Sequence, residues 1–168
     1  MKRRTFLKNA IYLAALGETF ILNMKQALAT ESLGPLLETW TGDYNGYPRF
    51  DLAKTVDLKA AMMKGMDLKR DEIKKLVAQS EKATFQNTFI PLEDAGRPLN
   101  NSIRFFDIYT STMNDKKMQA IETDMRPILA KFDDEIIQND PLFQRIKAVF
   151  EARENSGLTA EQQRLVEV

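Results

Sequence analysis

The sequence predicts an all-α protein in which an irregular arm with aromatic residues precedes about six antiparallel-packed helices, the last of them truncated. Two observations favour this fold class. From Asp57 onward, apolar residues recur every three or four positions, which is the spacing of one face of an α-helix. Residues 30–168 show no internal repeat and none of the alternation of apolar and polar residues that strands produce. We therefore expect one helical region over residues 30–168.

Residues 1–29 are typical of a secretory signal peptide and are excluded from the predicted fold. A basic start is followed by an apolar stretch from Ala10 to Leu22. This stretch is too short to cross a bilayer as a helix, which needs about 20 apolar residues. Ala27 and Ala29 then form a small-x-small pattern that predicts signal cleavage.

The start of this segment resembles the twin-arginine export signal. Arg3 and Arg4 are followed by Phe6, Leu7 and Lys8. Because that signal directs folded proteins out of the cytoplasm, we expect an exported, periplasmic protein with no membrane association after cleavage. The alternative is an amphipathic N-terminal helix that packs on the domain.

Residues 32–51 predict the irregular arm. They contain three of the seven glycines and two of the six prolines, and these residues are typical of turns and loops. Four aromatic residues are spaced along the arm, namely Trp40, Tyr44, Tyr47 and Phe50. Aromatic rings bury large areas, so we expect these residues to hold the arm against the helices. The alternative is an aromatic strip that binds a peptide.

The first predicted helix begins at Asp57, and glycine interrupts its pattern at Gly65, where it lowers helix propensity by about 1 kcal/mol. The apolar face of this helix consists of Leu58, Met62, Met66, Ile73 and Leu76. A second helix is predicted after Thr84, whose hydroxyl is suited to cap it. Pro91 falls inside this helix and predicts a kink.

Gly96 is predicted to end the second helix in a left-handed conformation, and Pro98 suits the first turn of the third. The third helix carries Leu99, Ile103, Phe106, Thr110 and Met113. Asn114 or Asp115 is expected to cap the fourth and longest helix. The apolar stripe of that helix consists of Met118, Ile121, Met125, Ile128, Phe132 and Ile136.

The last two helices begin at Asp140-Pro141 and at Thr159, where Thr159 and Gln162 form a capping box. The residues expected to point inward from the fifth helix are Leu142, Ile146, Val149 and Phe150. The sixth helix has an apolar face of Leu165, Val166 and Val168, which we expect to be exposed or frayed because its packing partners are missing. We also expect exposure on the Phe105 side of the third helix.

The composition removes most of the usual catalytic side chains. The 168 residues include no cysteine and no histidine, which excludes disulfides, zinc sites built on thiolate or imidazole, and nucleophiles activated by histidine. Residues 30–168 hold 19 basic and 23 acidic residues with interspersed signs, which gives no reason to expect nucleic-acid binding. No catalytic, cofactor-binding or metal-binding residue is predicted.

Carboxylates cluster at three places, which are Asp71-Glu72, Glu93-Asp94 and Asp133-Asp134-Glu135. Neighbouring residues on one helix point in different directions, whereas acid–base chemistry needs convergent carboxylates. We therefore expect each cluster to belong to a solvated helix face.

Several short strings occur in a fixed order over residues 34–168. They are Pro35-Leu36-Leu37 with Trp40, Pro48 with Phe50-Asp51, Thr84-Phe85-Gln86-Asn87-Thr88, Leu92-Glu93 with Gly96-Arg97, Asn114-Asp115, Leu142-Phe143, and Leu158-Thr159 with Glu161-Gln162 and Arg164-Leu165. Together these strings resemble the N-terminal part of the peptidyl-dipeptidases of the oligopeptidase A and thimet oligopeptidase family.

The resemblance implies a function for this region. Family members are almost entirely helical zinc metallopeptidases with a deep channel for short peptides, and their zinc ligands lie in an HExxH helix and downstream of it, in the C-terminal half. The sequence has no histidine, so it would form the N-terminal wall of the channel without the zinc site and be inactive alone. The implied partners are the missing C-terminal catalytic half or short peptides. The alternative is a stand-alone periplasmic helical module that binds peptides or proteins.

Overall fold

The computed structural model describes residues 34–43 and 46–167, and within these ranges the protein is helical with no strand. Residues 34–37 of the arm are helical, in contrast to the fully irregular arm that the sequence predicts. After the arm come six α-helices, α1 (Leu58–Val77), α2 (Ile90–Asp94), α3 (Arg97–Thr112), α4 (Lys116–Ile137), α5 (Asp140–Ala152) and α6 (Ala160–Glu167). A π-helix at Phe85–Phe89 leads into α2, and 3-10 turns occupy Thr55–Asp57 and Arg153–Asn155. The predicted all-α class is confirmed.

Helix α1 packs most extensively against α3, and its predicted apolar face is buried throughout. The main core joins α1, α3 and α4, with one contribution from the arm. The buried residues of this core include Leu36, Leu58, Met62, Met66, Leu99, Phe105, Phe106, Met118, Met125 and Phe132. Two smaller clusters join α5 to the rest of the fold, and they include Ile73, Leu76, Ala95 and Leu142 in one and Phe85, Phe89, Val149 and Val166 in the other.

Gly65 lies where α1 and α3 come closest. A Cβ atom added to Gly65 would lie 2.7 Å from the Cα atom of Leu99 and 3.1 Å from its Cβ atom. Such distances are far below van der Waals contact, so only glycine lets the two backbones approach this closely. The interruption in the helical pattern of α1 is therefore a packing requirement.

The segment before α2 differs from the kinked α-helix that the sequence predicts. Residues Phe85–Phe89 form a π-helix, in which the amide of Ile90 donates to the carbonyl of Phe85. Pro91 follows in α2, within the continuous helical run over residues 85–94, as the sequence predicts. The Thr84 cap is confirmed, because the backbone N–H of Asn87 donates to Thr84 Oγ1 at 3.2 Å.

Two turn residues behave as the sequence predicts. Gly96 has φ +81° and separates α2 from α3, and its amide donates to Glu72 Oε2 at 2.7 Å. Pro98 lies in the first turn of α3. Asp115 caps α4 by accepting a hydrogen bond from the amide of Met118 at 2.8 Å.

The expectation that the Phe105 side of α3 is exposed is wrong, because Phe105 is fully buried. The arm covers it. Trp40 meets the Phe105 ring edge-on with centroids 6.1 Å apart, and Phe50 does so at 5.1 Å. Two of the predicted arm aromatics thus hold the arm on α3, while Tyr44 lies outside the described residues.

The ends of α5 and α6 require two further corrections. Phe150, predicted to point inward, is 39% exposed, whereas Val166, predicted to be exposed, is buried with Phe85, Phe89 and Val149. Val166 is covered because α6 folds back onto α5. Leu165 is 41% exposed as expected.

The capping box that opens α6 is confirmed. The backbone N–H of Gln162 donates to Thr159 Oγ1 at 3.2 Å, and the backbone N–H of Thr159 donates to Gln162 Oε1 at 3.1 Å. Val168, the remaining residue of the predicted apolar face, lies outside the described residues.

We predict that Gly65→Ala destabilises the protein. The methyl group gains about 1 kcal/mol of helix propensity, but it forces α1 and α3 apart at a cost of about 1–3 kcal/mol, so the expected net loss is about 1 kcal/mol. Urea unfolding measures this change. Lys64→Ala, at the exposed neighbouring position, is the control and should change stability by less than about 0.5 kcal/mol. A more stable Gly65→Ala variant would contradict the close approach.

Candidate functional site

The residues predicted to direct export lie outside the described residues. These are Arg3, Arg4, Phe6, Leu7 and Lys8 of the twin-arginine pattern, with Ala27 and Ala29 of the cleavage pattern. Export therefore stays a prediction. In the part of the chain that the structure describes, no helix is both long enough and apolar enough to cross a membrane.

Each acidic cluster contributes a carboxylate to the packing of the helices. Glu72 accepts from the amide of Gly96, and Asp94 pairs with Arg97 one turn later. Glu135 on α4 accepts three hydrogen bonds from Arg70 on α1. Nε donates to Oε1 at 2.8 Å and to Oε2 at 3.2 Å, and Nη2 donates to Oε2 at 2.8 Å. Among the described residues, no group of three or more Asp, Glu, His or Cys side chains converges as a metal site would require.

The Arg70–Glu135 pair bridges α1 and α4 over an aromatic ring. The Arg70 guanidinium lies 4.8 Å from the ring centroid of Phe132, which is buried beneath it. The hydrogen bond from Arg70 holds the pKa of Glu135 below its ordinary value. The carboxylate therefore stabilises the α1–α4 contact, and its surroundings do not raise its pKa as a general acid would need.

An open concave surface lies between the arm and the end of α3, and we name it the arm cleft. Its volume is about 770 Å³. It is lined by Phe50, Ala53, Lys54, Thr55, Val56, Ile108, Tyr109, Thr112 and Met113. Lys54 is the single charged residue in this lining, so the cleft suits an apolar ligand or partner.

Tyr109 forms part of the floor of the arm cleft. Its hydroxyl donates to the carbonyl of Ala53 at 3.5 Å, and burial raises the pKa of this hydroxyl. Tyr109 is therefore neutral at physiological pH and helps to fix the arm. Met113, which the sequence assigned to the apolar stripe of the third helix, lies beyond the end of α3 and is 58% exposed at the cleft.

A small polar pocket of about 240 Å³ lies on the other side of the arm. It is lined by Thr39, Trp40, Arg97, Asn100, Asn101 and Arg104. Arg104 stacks over the Trp40 ring at 5.4 Å, and Asn101 donates to the carbonyl of Glu38 at 2.7 Å. These contacts attach the arm to α3 from this side.

A third concavity, the α5–α6 cleft, has a volume of about 320 Å³. Its lining residues are Phe143, Ile146, Lys147, Phe150, Glu151 and Val166. Phe143 is 55% exposed and Phe150 is 39% exposed, so two phenyl rings on one side of α5 are open to water. Exposed apolar groups that are contiguous in this way mark interaction surfaces.

Comparison with known proteins identifies two relatives of this chain by sequence. The chain is 32% identical over 137 residues to the dipeptidyl carboxypeptidase of Salmonella typhimurium, a match that covers 82% of this chain and 20% of the relative. It is also 32% identical over 121 residues to the dipeptidyl carboxypeptidase of Escherichia coli, covering 72% of this chain and 18% of the relative. The chain is related to the dipeptidyl carboxypeptidases. The resemblance to peptidyl-dipeptidases that the sequence motifs indicated is confirmed.

This relationship covers a limited part of the relatives. The chain spans about one fifth of the length of the curated dipeptidyl carboxypeptidases that it matches. No protein-family model matches the chain. The residues that carry the activity of these relatives are therefore not assigned to positions of this chain.

Sequence reasoning missed both apolar clefts. Helical periodicity placed Phe150 on the inner face of α5 and left Phe143 unassigned. The available signal was their spacing, because residues seven apart lie on the same side of a helix, and Phe143, Ile146 and Phe150 form one line. That line is separate from the buried pair Leu142 and Val149.

We predict that Glu135→Gln lowers the free energy of unfolding at pH 7. Both side chains of the Arg70 pair are well exposed, at 39% and 48%, so the loss should not exceed about 1 kcal/mol. Because the folded-state pKa of Glu135 is depressed, the contribution of its charge is present above the unfolded-state pKa and disappears as the pH falls through the folded-state pKa.

The difference between the wild-type protein and Glu135→Gln should therefore shrink between neutral and strongly acidic pH, as measured by urea unfolding at each pH. Asp134→Asn removes the neighbouring charge but leaves the Arg70 pair, and it serves as the control. An equal loss for both variants, or a loss that does not depend on pH, would show that the pair contributes nothing.

Proposed function

We propose that this chain is the N-terminal helical portion of an exported, zinc-dependent peptidyl-dipeptidase, where it forms a wall of the channel that admits short peptides. The observation that carries this proposal is the 32% identity to two dipeptidyl carboxypeptidases over most of the chain. The all-helical fold and the exposed apolar clefts support it, because a domain that packs against a larger body leaves such surfaces uncovered when alone.

In this proposal, the zinc site belongs to residues outside the chain. Zinc in peptidases is held by imidazole and carboxylate groups, and the sequence has no histidine or cysteine. Its carboxylates in the described residues do not converge, and three of them are engaged in packing contacts. The residues of this chain therefore do not fit a catalytic zinc ion, and they contribute shape to the channel.

A second candidate function is a stand-alone periplasmic helical module that binds peptides or proteins. The arm cleft favours it, because its size and apolar lining are those of surfaces that hold an extended ligand. Short peptides would then bind to the isolated chain. In the first proposal, peptides bind only when the rest of the enzyme completes the channel.

We predict that a chimaera will separate these functions. Residues 34–168 of this chain replace the matched segment of the Escherichia coli dipeptidyl carboxypeptidase, and hydrolysis of a short synthetic peptide is measured. We expect the chimaera to cleave the peptide and the 168-residue chain alone to cleave none. A folded chimaera without activity would contradict the channel-wall proposal. Peptide binding by the isolated chain, abolished by Met113→Lys in the arm cleft, would favour the binding module.

We predict that the double variant Arg3→Lys, Arg4→Lys accumulates as uncleaved precursor in the cytoplasm. Lysine keeps the charge but lacks the planar guanidinium that the twin-arginine receptor is expected to bind. Fractionation and immunoblotting of a tagged chain would measure this. Lys2→Arg, which also keeps the charge, is the control and should be exported normally. Unchanged export of the double variant would leave a general secretory route or no signal at all.

A further inference from the structure

The α5–α6 cleft combines open apolar walls with a buried floor. Phe143, Ile146 and Phe150 form one line along α5, and Val166 of α6 completes the apolar lining. Phe143 is 55% exposed and Phe150 is 39% exposed. Large apolar side chains at such exposures, gathered along one groove, leave an area that is more stable when covered.

The floor of this cleft is fixed by the core. Val149 and Val166 are buried beneath it, and they pack on Phe85 and Phe89. Those two rings stack with centroids 5.6 Å apart and an interplanar angle of 3°. The shape of the cleft is therefore set before any ligand arrives, which lowers the entropic cost of binding.

The charged groups at the rim of the cleft already have partners. Lys147 Nζ lies 3.8 Å from Glu151 Oε1, one turn along α5. The Arg153 guanidinium lies 4.0 Å from the centroid of the Phe150 ring, and its Nε lies 3.4 Å from Glu167 Oε1. The two charged residues of the lining, Lys147 and Glu151, have opposite signs and face each other, so apolar contact governs what the cleft accepts.

The geometry of the cleft selects an α-helix as its occupant. Both walls are helices, whose backbone amides and carbonyls bond within the helix, so they offer no strand edge to an extended peptide. A groove between two helices accepts the apolar face of a third helix, whose side chains at helical spacing enter between those of the walls.

The length of the relatives indicates where this helix comes from. The matched segment is about one fifth of each dipeptidyl carboxypeptidase, so about four fifths of such a protein lie outside it in sequence. The cleft lies at the C-terminal end of the described structure, because Val166 in its lining is next to Glu167, the last described residue. We propose that the α5–α6 cleft receives an amphipathic helix from the part of a dipeptidyl carboxypeptidase outside the matched segment. This inference rests on the proposed function and assigns it an interface.

The test uses the full 168-residue chain and synthetic peptides. Fluorescent peptides, each long enough for a helix of about 15 residues, tile the part of the Escherichia coli relative that lies outside the matched segment. Binding is measured by fluorescence anisotropy. We expect at least one amphipathic peptide to bind, and its helicity to rise on binding.

Matched serine variants locate the binding. Phe143→Ser in the cleft should lower the affinity for that peptide by about tenfold or more, because it removes a central aromatic contact of the interface. Ile137→Ser is the control, because Ile137 is 78% exposed at the end of α4 and does not line the cleft. Phe150→Ser tests the second exposed ring of the lining and should weaken binding as well. Circular dichroism and thermal unfolding establish that all three variants are folded.

Several outcomes would overturn the inference. The first is that no tiled peptide binds. The second is that Phe143→Ser and Ile137→Ser weaken peptide binding equally. The third is self-association of the chain that Phe143→Ser abolishes, which would make a second copy the occupant. The chimaera distinguishes the two proposals. If the chimaera is active but no peptide binds the cleft, only the proposed interface is contradicted. If the chimaera folds but is inactive, the proposed function is contradicted.

Discussion

The close approach of α1 and α3 at Gly65 is the contact on which the rest of the fold depends. Because no side chain separates the backbone of Gly65 from that of Leu99, the flanking side chains of both helices interlock on either side of the crossing. Met62 and Met66 are completely buried there. Helix α4 then covers this pair with Met118, Met125 and Phe132. The arm closes the remaining side through Leu36 and the edge-on contacts of Trp40 with Phe105.

A second part of the structure depends on Arg145 of α5. Its Nη1 donates to the carbonyl of Gln79 at 3.1 Å, and its Nη2 donates to Asn87 Oδ1 at 3.1 Å. It therefore links α5 both to the loop after α1 and to the side chain that closes the Thr84 capping box. The π-helix, α5 and α6 share the small core around Val149, and this core sets the floor of the α5–α6 cleft.

Some charged residues of the described chain join its helices, and its arm cleft and α5–α6 cleft are lined mainly by apolar residues. Arg70 and Glu135 join α1 to α4, and Glu72 joins α1 to the turn before α3. Both apolar clefts lie at the outer ends of the described structure, one beside the arm and one beside α6. That distribution is consistent with the proposed role of this region as part of a larger protein, since interface cores are enriched in apolar and aromatic side chains.

Sequence patterns were enough to predict most of the helices, several of their caps and the relationship to peptidyl-dipeptidases. Local hydrogen bonds decide the caps at Thr84, Asp115 and Thr159, and periodicity decides which side of α1 is apolar, so both are visible in a short stretch of sequence. Which apolar residues are covered depends on the packing of distant segments. Phe105 is buried by an arm more than fifty positions away, while Phe150 stays open. Periodicity identifies an apolar face but not the neighbour that covers it, because that neighbour is distant in sequence.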